Sequence, residues 1–217
     1  MAASAVIRAV PMSQPPDHDA IVAATRHWLS RAVIGLNLCP FARSVYVKDQ
    51  VRYAVTTATA MPDLLEVVED ELKLLAEADP AQVDTTLIVI PDALHDFLEY
   101  NDFLFFAERL LGSLRLSGTL QIASFHPQYQ FSGTDADDVG NLTNRAPYPT
   151  LHLIREASIA RAVEAFPDAA DIYERNQAVM HALGREGYDD WMRGTGEDDE
   201  LPEALKALGP LKPSRNG

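Results

Sequence analysis

The chain has 217 residues, 47% of them hydrophobic and 23% charged, with a formal net charge of −14. This length suits one domain with tails, and it can bury a core without a structural metal. A single cysteine, Cys39, excludes an internal disulfide and fits a reducing compartment. So negative a surface repels phosphate backbones and anionic membranes, which argues against nucleic acid as a partner. No run approaches the roughly 18 apolar residues of a membrane span. Residues 2–12, AASAVIRAVPM, lack the basic start and long apolar stretch of a secretion signal. The expected location is the cytoplasm.

Residues 1–16 end in Pro, Gln and Ser and read as a flexible leader. A helix follows, capped by Asp17 or Asp19, with Ile21, Thr25, Trp28, Leu29, Ala32 and Leu36 on one face. It stops near residues 37–40. VRYAVTTA (51–58) alternates and is β-branched, so a strand is expected. Pro62 opens a second helix with Leu65, Val68, Leu72 and Leu75 inward. TTLIVI (85–90) is short, apolar and β-branched, as a strand covered on both faces would be.

A third helix carries Phe103, Phe106, Ala107, Leu110 and Leu114 inward, and LQIASF (120–125) is a third strand. TLHLIRE (150–156) alternates Leu151, Leu153 and Arg155 against His152 and Ile154, which favours a fourth strand. Ser158 caps another helix, Pro167 breaks it, and a last one places Ile172, Val179 and Leu183 inward. Residues 192–217 read as an acidic, mobile tail with one short helix at 203–208. The pattern predicts a single layered α/β domain over residues 17–191. Its small, mostly central sheet has three to four strands flanked by helices. Strand order and oligomeric state are not legible.

Between the third and fourth strands lies HPQYQFSGTDADDVGNLTNRAPYP (126–149). Loops beyond about 12–15 residues are functional or disordered in compact domains. Tyr129, Phe131, Pro147, Tyr148 and Pro149 pack rather than solvate, which disfavours disorder. His126 has the chemistry of a general base or metal ligand, oriented by Asp135, Asp137 or Asp138. Arg145 offers a planar fork to a carboxylate or phosphate, and Asn144 and Tyr148 offer hydrogen bonds. The bland alternative is a loop whose polar side chains satisfy its own backbone. DADDVG resembles the start of a calcium loop, but Val139 and Ala146 stand where ligands are required, which rejects it. A looser metal site from His126, His152 and an aspartate stays open as an alternative, although its spacing matches no named zinc or iron motif.

Cys39-Pro40-Phe41-Ala42 places Cys39 as the cap of a helix that starts at Pro40, where N–H groups and the dipole lower a thiol pKa, with Arg43 assisting. The alternative is a buried, inert cysteine. In DIYERNQ (171–177), Glu174 and Arg175 are expected off the face of Ile172 and Val179. Otherwise, Arg175 or Asn176 reaches back to brace the loop.

CPFA (39–42), SFHPQYQFSG (124–133), NLTNRAPYPTLHLIRE (141–156) and ERN (174–176) together resemble the uncharacterised family catalogued as domain of unknown function 1415. The resemblance spans about residues 20–191. It implies a bacterial protein with these signature positions, and no activity or catalytic residue comes with it.

Two functions follow as expectations. The first is a small-molecule enzyme with Cys39 as nucleophile or redox thiol and His126 as base, oriented by Asp135. Asn144, Arg145, Tyr148 and Arg175 would hold an anionic substrate. The second is a non-covalent metal- or small-anion-binding module in which His126, the aspartates and Arg145 form the pocket and Cys39 is structural. No motif assigns a cofactor.

Overall fold

The computed structural model describes residues 17–165, 169–194, 200–206 and 208. The expected leader, the break at Pro167 and much of the tail lie outside these residues.

Helix α1 (His18–Trp28) runs directly into a wider π-helical segment, Leu29–Gly35. Ile21, Thr25, Trp28, Leu29, Ala32 and Leu36 are all buried, as their spacing predicts. Asn37 ends the run in the left-handed region (φ 54°), which Asn tolerates better than most residues. The chain then folds back, with the N–H groups of Leu38 and Cys39 both donating to the Val33 carbonyl (2.9 and 3.4 Å). Helix α2 (Ala42–Val47) leads to strand β1 (Val51–Val55), helix α3 (Met61–Glu77) and strand β2 (Thr85–Val89). Helix α4 (Phe97–Ser113), capped by the Asp96 carboxylate, precedes strand β3 (Leu120–Phe125). After the long loop come strand β4 (Thr150–Arg155), α5 (Glu156–Ala165), α6 (Ala169–Arg193) and α7 (Glu203–Lys206). Segment 150–155 is thus a strand, and Leu205 of the tail helix is buried in the core.

The sheet order is β1-β2-β4-β3, with β1 and β2 parallel and β4 antiparallel to both of its neighbours. Strands β1, β2 and β3 therefore run one way and end at one edge, where β4 begins. Val55, Val89, Thr150 and Phe125 lie in register along that edge. Loop 126–149 leaves from it and returns to it.

Each face of the sheet has its own core. On one, Leu64, Val68, Leu72 and Leu75 of α3 and Tyr100, Phe103, Ala107 and Leu111 of α4 pack on Ile88, Ile90, Leu151 and Leu153. On the other, α1, the π-helical segment and α6 cover Leu87 and Val89. Strand β2 is buried on both sides, the environment its unbroken apolar run requires. Phe106 departs from expectation. Tyr100, Phe103, Ala107 and Leu111 recur at intervals of three and four and take the core-facing stripe, which leaves Phe106 46% exposed.

His152, on the α1 and α6 side of β4, is held neutral. Its Nε2 lies 2.7 Å from the Thr85 hydroxyl, which itself donates to the Leu153 carbonyl (2.6 Å). The imidazole must therefore donate there. Burial pushes its pKa down to about 4. Between the ordinary histidine range and that value the unfolded chain binds the proton and the fold does not. Stability is present in full above pH ~6.5 and is lost as pH falls toward 4. Urea unfolding at pH 7 and pH 4.5 should show wild type losing roughly 2–3 kcal/mol more than His152→Gln. Equal losses would contradict a buried neutral imidazole.

Candidate functional site

Loop 126–149 is built around a residue not expected to matter. Asn141 is fully buried, on a 3-10 helix at Val139–Asn144. Its Oδ1 accepts from the Phe131 N–H (2.9 Å) and the Thr134 hydroxyl (3.0 Å), and its Nδ2 donates to the Asp135 carbonyl (2.9 Å). One carboxamide thus replaces the secondary structure that the loop lacks. The signal was in the sequence as Asn-Leu-Thr, which matches a glycosylation acceptor, but a buried Asn141 cannot present one. The Asp138 carboxylate caps the same helix by accepting from Gly140 N–H (2.7 Å). Asp135 and Asp137 are exposed.

His126 is fully buried, and both ring nitrogens are engaged by backbone. Nδ1 accepts from the Gln128 N–H (3.0 Å), so Nε2 carries the proton and donates to the Leu94 carbonyl (2.9 Å). The ring packs against Phe97 and Tyr100 of α4. Burial lowers its pKa, opposed by the Leu94 bond and Asp96. Asp135 has no free ring nitrogen to orient. Arg145 is likewise committed: Nε donates to the Tyr129 carbonyl (3.1 Å) and Nη2 to the Ala136 carbonyl (2.6 Å), closing the loop on itself. Its pKa is lowered by burial first and Arg185 second, and Tyr188 opposes this. Asn144 joins the loop to β3 through its carbonyl, which accepts from His126 N–H (3.2 Å), and through Nδ2, which reaches Ser124 O (3.4 Å). Tyr148 packs on the α1 and α6 core, and its carbonyl accepts from the Thr150 hydroxyl (2.9 Å).

Cys39 does not cap a helix at Pro40. Helix α2 begins two residues later, at Ala42, and Cys39 lies in the turn before it. Burial pushes the thiol pKa up, against smaller lowering effects from the Phe41 and Ala42 backbone. Cys39 packs on the α1 and α6 core, whereas the His126 ring packs against α4 on the other side of the sheet. No hydrogen bond links the two among the described residues. His126 and His152 are also separated, since the His152 ring faces Phe125 on the α1 and α6 side (centroids 6.1 Å apart). Among the described residues no three His, Cys, Asp or Glu side chains group as a metal site.

Helix α6 joins the signature segments. Tyr173 stands edge-on to Phe131 of the loop (centroids 6.0 Å). Gln177 lies close over Gly140, so that a Cβ there would displace the end of the Gln177 side chain. Asn176 Nδ2 donates to the Leu38 carbonyl (2.9 Å), bracing the turn that carries Cys39. Glu174 is exposed as expected, but Arg175 is half-buried. The correction lies in helical spacing: Arg175 follows Ile172 by three residues and precedes Val179 by four, so all three share a stripe. Its Nε and Nη1 are buried with no acceptor among the described residues, and Asn176 Oδ1 is buried with no donor. Burial lowers the Arg175 pKa.

The chain belongs to the family of proteins of unknown function DUF1415, whose family model matches residues 20–190. No curated protein and no solved structure matches it.

If Asn141 is the keystone, Asn141→Ala should cost about 2–4 kcal/mol, because three bonds are lost and buried backbone groups are orphaned. Asp135→Ala should stay within about 0.5 kcal/mol. Chemical denaturation of both variants measures the contrast, and comparable losses would contradict it.

Proposed function

We propose that this DUF1415 member binds a small anionic molecule without covalent chemistry, where α6 meets the Leu38–Ala42 turn. Arg175 is the anchoring cation. The observation that carries this reading is its guanidinium, with two buried nitrogens lacking any acceptor among the described residues. Buried N–H groups are ordinarily paired, and an uncompensated buried cation destabilises a fold until an acceptor arrives. A carboxylate or phosphate oxygen is the acceptor that a guanidinium matches best. Asn176, whose Oδ1 also lacks a partner, would accept from a hydroxyl or amine on the same molecule.

This favours the second of the two expected functions, with Arg175, already among the expected anion holders, in place of Arg145. Arg145 was to hold the anion, but its donors serve the loop carbonyls. The enzyme reading loses support from His126, whose nitrogens both bond backbone, and from Cys39, whose thiol is pushed toward its neutral form. Cys39 in this reading is a packing residue beside the site. The partner is a small molecule in the cytoplasm and not nucleic acid, which the net charge of −14 would repel.

Thermal unfolding in rising concentrations of phosphate, sulfate, citrate and malonate tests the proposal. At least one of these anions should raise the wild-type Tm saturably, as ligand linkage requires. Arg175→Met should abolish that response while leaving the anion-free Tm unchanged or higher, because it fills the same stripe without a buried charge. A wild type that none of the four stabilises, or a variant that responds as wild type does, would overturn it.

A further inference from the structure

Helix α4 uses one stripe for the core, and a second, opposite stripe is left uncovered among the described residues. Leu98, Asp102, Phe105 and Arg109 recur at intervals of four, three and four, so they line the side away from Tyr100, Phe103, Ala107 and Leu111. Leu98 is 72% and Phe105 56% exposed, and Phe106 flanks them at 46%. The two phenylalanine rings stand edge to face, with centroids 5.6 Å apart. Single exposed apolar residues are ordinary, but a contiguous aromatic pair with a leucine on one helix face is the mark of a contact surface.

The charges on this stripe point to its occupant. Asp102 and Arg109 have no ion-pair partner among the described residues, and Arg109 rests only loosely over the Phe105 ring (5.6 Å). Phe105 and Phe106 straddle the midpoint between Asp102 and Arg109. A second copy of α4, laid antiparallel across a two-fold axis at that midpoint, sets each Asp102 against the other copy's Arg109. Each Phe105 then meets the other copy's Phe106. The pattern is self-complementary, as a two-fold contact between identical chains must be. Two chains of charge −14 repel at long range, but at physiological salt that repulsion is screened beyond roughly 8 Å, so the local contacts decide.

We propose that the outer face of α4 is a two-fold self-association surface, with Phe105 and Phe106 at its centre and reciprocal Asp102–Arg109 pairs on either side. This stands independently of the anion site.

Sedimentation equilibrium of the full chain over a concentration series should give a species of twice the 23.9 kDa chain mass. Phe105→Glu should return it to the monomer. Asp102→Arg places like charges opposite one another twice and should weaken the dimer at least about tenfold. The double exchange Asp102→Arg with Arg109→Asp should restore it, because the pairs reform with the signs reversed. Both positions are exposed, so a far-ultraviolet spectrum and Tm near wild type will confirm that the variants fold. A wild type that remains monomeric at about 100 µM, roughly a hundredfold above a micromolar dissociation constant, overturns the proposal. So does a dimer that Asp102→Arg leaves intact, or one that the double exchange fails to restore.

Discussion

The structure depends on how one irregular loop satisfies its own backbone. Residues 126–149 connect β3 to β4 across the edge where three strands end, and α6 lies over them. The loop's buried positions, His126 and residues 140–143 among them, have no ladder or long helix to bond to. Buried backbone groups must be paired, so side chains take the role of secondary structure. Asn141 does so at the centre, through three bonds that tie Phe131, Thr134 and Asp135 together. Arg145 does so across the loop, His126 at its start and Asp138 at the head of its short helix.

That constraint redistributes the chemistry. His126 and Arg145 are consumed in holding the loop, whereas Arg175 on α6 keeps two buried nitrogens without an acceptor among the described residues. Arg175 is next to Asn176, which braces the Leu38 carbonyl, and two residues before Gln177, which presses on Gly140. A loop with its polar groups satisfied is a rigid wall, and a rigid wall is what a neighbouring binding group needs if it is to be preorganised. The separation of Cys39 from His126 by the sheet has the same origin: the loop leaves β3 on the α4 side and carries His126 there.

Much of the fold was legible because hydrophobic period is a direct record of burial. The stripe of α1, the unbroken apolar run of β2 and the alternation of β4 all match their environments. The insertion of β4 between β2 and β3, antiparallel to both, was not legible, because pairing partners leave no mark on period. The site was harder for a different reason. His, Asp, Asn and Arg serve catalysis and backbone satisfaction with the same atoms, and composition cannot separate the two. Asn141 was passed over because its importance lies in burial. Arg175 was named among the residues to hold an anion, although its relation to Ile172 and Val179 on the helix was misjudged. Phe106 was placed in the core because it is apolar, while the stripe of Tyr100, Phe103, Ala107 and Leu111 had already filled that face.

Amide hydrogen exchange at single-residue resolution tests the central claim most directly. If Asn141 holds the loop as a folded unit, the Phe131 and Gly140 amides should exchange as slowly as those of β3, although neither lies in a sheet or an α-helix. Exchange at those two amides as fast as in an open surface loop would contradict the account.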